Sequence, residues 1–131
     1  MLRVHSPLSA EIEALVTQVN GCCIVVHRTL GPGLLEVVYT RAMCLELAAS
    51  EVPYESEVAI PVMYRDQLLC HQRADVVVAG QIVLELKAVE RLAPVHQAQL
   101  LSYLRLSKLR IGLLVNFNVP VLHEGLKRII L

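Results

Sequence analysis

Apolar residues recur at three- and four-residue spacing from Ile12 to Val26, through Leu15, Val16, Val19, Cys22 and Cys23. That spacing predicts an amphipathic helix running to about Thr29. Ser6-Pro7 reads as its start, with Ser at the N-cap, Pro at the first helical position and Glu11 and Glu13 near the positive end of the dipole. Leu30-Gly31-Pro32-Gly33 breaks the pattern. A second helix is expected from about Leu35 to Ser50, with Glu36, Tyr39, Met43 and Glu46 on one stripe and Val38, Ala42, Leu45 and Ala49 on the next. Beyond Pro53 the period changes to two. Val58, Ile60, Val62 and Tyr64 alternate with other residues, as in a half-buried strand, and Pro61 inside it calls for a sheet edge or a bulge.

Arg65-Asp66 reads as a turn into a strand near Leu68 to His71. RADVVVAGQIVLELK, Arg73 to Lys87, then reads as two strands around a glycine-containing turn. Val76–Val78 and Ile82–Leu84 suit a strand buried on both faces. Side chains alternate, so Glu85 and Lys87 share a face that Leu84 and Leu86 do not. If Ala79, Gly80 and Gln81 form a three-residue loop, Asp75 lies directly opposite Glu85; a two-residue turn would place it opposite Leu84 or Leu86. Directly opposed Cβ atoms are roughly 4.5–5.5 Å apart, and two like charges at about 5 Å repel by roughly 3 kcal/mol at an effective dielectric near 20. A divalent cation between them reverses that sign. Hard oxygen ligands suit Mg²⁺ or Mn²⁺.

A third helix is expected from Ala93 to about Ser107, with Pro94 in its first turn and Ala98, Leu101 and Leu104 as its packing face. Gln99 and Tyr103 share a face, with His96 a turn earlier. Arg110 to Asn116 reads as an apolar strand and Lys127 to Leu131 as a short last one. The order α, α, antiparallel strands, α, β gives an α+β or α/β sandwich around a central mixed β-sheet flanked by helices, as a single domain over 1–131.

Composition narrows the function classes. The apolar share is 55%, yet no run of 18 apolar residues exists, which excludes a spanning helix and a membrane role of that kind. The N-terminal segment lacks an apolar signal core, so a cytoplasmic chain with reduced thiols is expected. The four cysteines have no zinc-type spacing and read as core thiols. Net charge is zero, poor support for tight duplex binding. Residues 1–60 hold seven acids against three Lys/Arg, whereas residues 100–131 hold five Lys/Arg against one acid. The basic end is either a phosphate-facing patch or solvated charge at element ends. So much apolar sequence also suggests surface covered by a partner, a second copy forming a homodimer.

Each chemical signal has a plain alternative. Asp75 with Glu85 and Lys87 is either a metal site, the lysine serving an attacking water or the scissile phosphate, or an ion pair on an exposed sheet face. Glu36 is either a helix-dipole residue or a further ligand, and Tyr39 at i+3 can reach the same place. Gln99 and Tyr103 either bind phosphate, base or carboxylate, or form a polar helix surface. His96 reads better as a surface or capping residue than as a catalytic one. Nucleotide-phosphate loops and serine-hydrolase elbows are absent.

From about Glu13 to Leu131 the chain resembles the GxxExxY proteins, a bacterial group in the PD-(D/E)xK nuclease superfamily. The resemblance rests on LGPGLLEVVY (Leu30 to Tyr39), RADVVV (Arg73 to Val78), IVLELKAVE (Ile82 to Glu90), AQLLSYL (Ala98 to Leu104) and GLLVNF (Gly112 to Phe117), in that order. Gln99 and Tyr103 are similar to the Q-x-x-x-Y motif of RecB-type nucleases. The resemblance implies a restriction-endonuclease-like α-β-β-β-α-β core, with Asp75, Glu85 and Lys87 as the catalytic signature. It further implies Glu36 as a helix-borne acid and metal ligand, with Gln99 and Tyr103 in support; Tyr39 and Arg73 join them as candidate substrate-binding residues. The expected activity is Mg²⁺- or Mn²⁺-dependent phosphodiester hydrolysis in DNA or RNA. The alternative is a non-catalytic nucleic-acid-binding or protein-interaction module of the same fold.

Overall fold

In the computed structural model, Ser9 rather than Ser6 caps the first helix, its Oγ accepting from the Ile12 N–H at 3.2 Å. The pair Ser6-Pro7 lies three residues outside, with the Ser6 hydroxyl donating to Glu13 Oε1. The structure describes residues 6–131; the first five residues of the N-terminal segment, where no signal core was expected, lie outside them. Helix α1 spans Ala10–Leu30, and its buried residues Val16, Val19, Cys22, Cys23 and Val26 follow the expected stripe. Its C-cap is Gly31, at φ +69°.

Helix α2 (Glu36–Ala49) buries Tyr39, Met43 and Leu47. The stripe expected beside them, Val38, Leu45 and Ala49, is instead exposed. Strands β1 (Tyr54–Tyr64), β2 (Gln67–Val78) and β3 (Ile82–Lys87) form a meander, helix α3 (Pro94–Ser107) crosses over, and β4 (Ile111–Asn116) pairs parallel to β3. A short 3₁₀ helix (Leu122–Gly125) leads into β5 (Leu126–Ile130), antiparallel to β4. The sheet order is β1-β2-β3-β4-β5. This mixed five-stranded sheet with three helices is the α+β, restriction-endonuclease-like architecture expected. β3 and β4 lie at its middle and are buried on both faces, hence their unbroken apolar runs.

The strand expected near Leu68 and the first hairpin strand are one element. Arg65 and Asp66, both at positive φ, close a two-residue hairpin. From Gln67 to Arg73 every residue of β2 is exposed, so the distal half of the β1–β2 hairpin projects as an arm with no buried face to impose alternation. Pro61 sits on the edge strand β1, where a residue without an N–H is tolerated, and the bulge falls just beyond, between Val62 and Met63.

Two cores sandwich the sheet. Helices α1 and α2 pack on Val76, Val78, Leu84, Leu86, Leu113 and Val115. On the other face α3 packs through Leu100 and Leu104 on Ile60, Ala74, Val83 and Leu114. The expected packing face of α3 shifts accordingly: Ala98 is exposed and Leu101 only half-buried. Gly112 makes this possible, because a Cβ there would stand 2.6 Å from the Leu100 side chain. A two-point ion pair, Arg128 to Glu13 at 2.6 and 3.0 Å, ties β5 to α1. Cys22 and Cys23 are core thiols as expected, but Cys70 is exposed on the arm and Cys44 is half-buried.

Candidate active site

The β2–β3 ladder pairs Val78 with Ile82, Val77 with Val83 and Val76 with Leu84. This is the three-residue-loop register, with Ala79 and Gly80 both at positive φ, and it carries Asp75 to the position facing Glu85. The ladder then stops. Past Val76 the backbone donors turn to side chains: Asp75 N–H donates to Glu85 Oε1 at 3.1 Å, and Leu86 N–H donates to Asp75 Oδ2 at 2.8 Å. The two carboxylates therefore occupy the place where the strands part. They satisfy N–H groups that the splay would otherwise orphan.

The environment is dry. Glu85 is 5% exposed, and burial, reinforced by the charge of Asp75, pushes its carboxyl up to about 8. Asp75 is raised as well, chiefly by burial; the Leu86 N–H and Lys87 pull it down, and Glu57 adds repulsion. These groups hold negative charge reluctantly. The exposed ion pair offered as the alternative does not form. Among the described residues the ion pairs are Arg73–Glu57 at 3.8 Å and Arg128–Glu13, and Lys87 belongs to neither.

Other elements converge here. Glu36, in the first turn of α2, is raised by burial and then pulled down by Lys87 and pushed up by Asp75, with His96 and the Ala88 N–H also lowering it. It therefore lies within electrostatic reach of the pair. Tyr103 on α3 is raised by burial and by the charges of Glu85 and Asp75, so its phenol stays a donor. His96 Nδ1 accepts the Ala93 N–H at 2.9 Å, the capping role read from the sequence.

Three candidate residues stand differently. Tyr39 is fully buried, its hydroxyl donating to the Gly31 carbonyl and accepting the Leu34 N–H, and its ring stacks on Phe117 at 4.6 Å. It shapes the loop holding Gly33 (φ +100°) and so the start of α2, and offers no group to the site's surface. Gln99 is exposed and makes no side-chain hydrogen bond among the described residues. Arg73 is exposed and paired with Glu57 rather than with Asp75.

Two residues escaped the sequence reading. Asn116, buried at the end of β4 and paired with Lys87, accepts from the Val89 and Asn118 N–H groups and donates to the Val89 carbonyl. It pins the chain just beyond Lys87; a lone amide ending an apolar strand was the available signal. Glu57 on β1 faces Asp75, because the pairs Ser56–Val76 and Val58–Ala74 straddle the two residues. Its φ of +52° has no sequence signal.

A family model described as the PD-(D/E)XK nuclease superfamily matches residues 13–129. The chain belongs to that superfamily. No curated protein and no solved structure matches the chain. The D and E-x-K of the superfamily's name occur here at Asp75 and at Glu85-Leu86-Lys87, with Ala74 in the place of the proline. Superfamily members generally use divalent metals, and the donor set fits one. Asp75 Oδ1 and Glu85 Oε2 are free of backbone donors, and both carboxyls are destabilised as anions by burial. Among the described residues no group of three or more protein ligands stands assembled.

Proposed function

We propose that this protein is a divalent-metal-dependent nuclease hydrolysing phosphodiester bonds in DNA or RNA, akin to the GxxExxY group. The observation that carries the reading is the pair of buried, protonation-prone carboxylates at the splay of β2 and β3, with Lys87 on the same face. Asp75 and Glu85 would hold Mg²⁺ or Mn²⁺, with Glu36 beside them. Such an ion supplies neutralising charge at the phosphate and a more acidic water. Lys87 orients the water or offsets charge on the phosphate, and no carboxylate among the described residues competes for it in an ion pair. Tyr103 donates its phenol proton to a phosphate oxygen or to a ligand carboxylate. Asn116 positions Lys87 by fixing the backbone after it. Gln99 and Arg73, both exposed, are candidate contacts for the flanking chain.

The test is cleavage of end-labelled single-stranded and duplex oligonucleotides with Mn²⁺, in the parent and in Lys87→Ala and Asp75→Ala. Metal-dependent cleavage abolished in both variants, with their folds intact by circular dichroism, is the expected result. Unchanged cleavage in both would refute it.

One observation favours a protein partner in addition. The hairpin arm exposes Met63, Tyr64, Leu68 and Leu69 together. A second copy of the chain is the proposed cover. Light scattering that finds a dimer, reduced to monomer by Leu69→Asp, is the expected outcome, and a parent that is monomeric at high micromolar concentration contradicts it.

A further inference from the structure

Helix α2 presents two stripes. One, with Tyr39, Met43 and Leu47, is buried. The other runs through Val37, Arg41, Cys44 and Leu45 and faces β1 across a cavity of about 480 Å³, closed on the far side by Ser56 and Glu57. Val37 is 54% and Leu45 73% exposed, so the groove's apolar wall is open to solvent. The groove borders the candidate active site at Glu57, which lines it and also faces Asp75 across the β1–β2 ladder.

Glu57 is held in a costly conformation. A non-glycine residue at φ +52° inside a strand, with regular pairs on either side, carries roughly 1 kcal/mol or more of backbone strain. No turn requires it, since the chain continues as strand for seven further residues to Tyr64. What the strain achieves is the placement of a carboxylate at the junction of groove and site, with Arg73 drawn to 3.8 Å beside it.

We propose that this groove receives one unpaired nucleotide of the substrate, flanking the scissile phosphate. The class of occupant rests on the nuclease reading; the groove's chemistry selects its form. The apolar wall of Val37 and Leu45 takes the face of a base, which duplex stacking would cover. Glu57, an acceptor only, takes the amino or imino hydrogens of the base edge. Arg41, lining the groove, and Arg73, beside Glu57, take backbone phosphates. The volume lies in the range of small-ligand pockets, about 300–1,000 Å³, and admits a splayed nucleotide but no duplex. A chain of zero net charge that uses two such arginines should bind with a shallow salt dependence, a slope of log K against log salt of about −1.4 for single strands.

The experiment is fluorescence anisotropy with a labelled 12-mer as single-stranded DNA, as single-stranded RNA and as blunt duplex, in Ca²⁺ and in EDTA. Leu45→Asp and Arg41→Glu are the test variants, both at exposed positions, and Val121→Asp, at an exposed position before the 3₁₀ helix, is the control. The better single strand is expected to bind at least tenfold tighter than the duplex, with each test variant weakening it at least tenfold and the control leaving it unchanged. Duplex binding as tight as single-strand binding, or test variants indistinguishable from the parent, overturns the proposal. The two readings fail separately. The expected binding pattern without any Mn²⁺-dependent cleavage would remove the nuclease and leave the subsite; parent-rate cleavage of single strands by both test variants would remove the subsite and leave the nuclease.

Discussion

Replacing Glu85 by Gln should stabilise the metal-free protein, and increasingly so as the pH rises. The amide keeps an oxygen that can accept the Asp75 N–H now bound at 3.1 Å by Glu85 Oε1, so shape and hydrogen bonding survive. What disappears is a buried carboxyl that burial and Asp75 push from about 4.5 up to about 8. With a folded pKa above the unfolded one, the native state binds more protons between those values, so stability falls as pH rises through that window and levels off above about 8. The full slope is about 1.4 kcal/mol per pH unit. Asp75 and Glu85 titrate as a pair, so Glu85 alone takes less than the full slope. Between pH 6 and pH 8 the variant should then gain on the order of 1 kcal/mol on the parent. In urea denaturation with EDTA that is a midpoint gap widening by roughly 0.5 M, for an m value of about 2 kcal/mol/M. Mn²⁺ should reverse the order, because only the parent gains metal-binding free energy. A midpoint difference that does not change with pH would refute the account of a dry, proton-holding site.

Mn²⁺ affinity of the parent should weaken up to about tenfold per pH unit on acidification below about 8, since the ion must displace the proton held by Glu85; calorimetry at three pH values measures this. Asn116→Ala should cost about 2–3 kcal/mol in urea denaturation by leaving the backbone groups of Val89 unpaired, and should lower cleavage by loosening the chain after Lys87. Gly125→Ala should be the most damaging glycine substitution, because its Cβ would stand 2.2 Å from the Asn116 carbonyl oxygen, a backbone atom with no rotamer to yield; loss of soluble expression or a fall of several kcal/mol is expected. Of the four thiols, Cys70 should react first with a disulfide reagent, while Cys23, raised by burial to about 12, should remain unmodified until the chain unfolds.

The parts legible in the sequence were those where one periodicity has one physical cause. The stripe of α1 and the doubly buried runs of β3 and β4 follow from which faces the core covers; the register stayed open between a two- and a three-residue turn, and the structure has the three-residue loop that brings Asp75 to Glu85. Where two patterns fit, the choice depended on partners distant in sequence. Leu100 rather than Leu101 faces the sheet because Gly112, twelve residues on, opens room for it. Tyr39 shares a stripe with Glu36, but its ring is claimed by Phe117 and its hydroxyl by the preceding loop. The arm of β2 shows no alternation because neither of its faces is buried, so its length was hidden in Gln67–Arg73. Glu57 was invisible for another reason: ordinary strand residues surround it, and a glutamate side chain gives no signal of a positive φ.

The central claim is that Asp75 and Glu85 hold a divalent cation where β2 and β3 part. An anomalous difference map from a crystal soaked in Mn²⁺ tests it most directly. The account expects a peak between the two carboxylates, with Lys87 on the same side and loss of the peak in Asp75→Asn. A fully soaked crystal with no peak at that pair, or with Mn²⁺ only elsewhere on the chain, would contradict it.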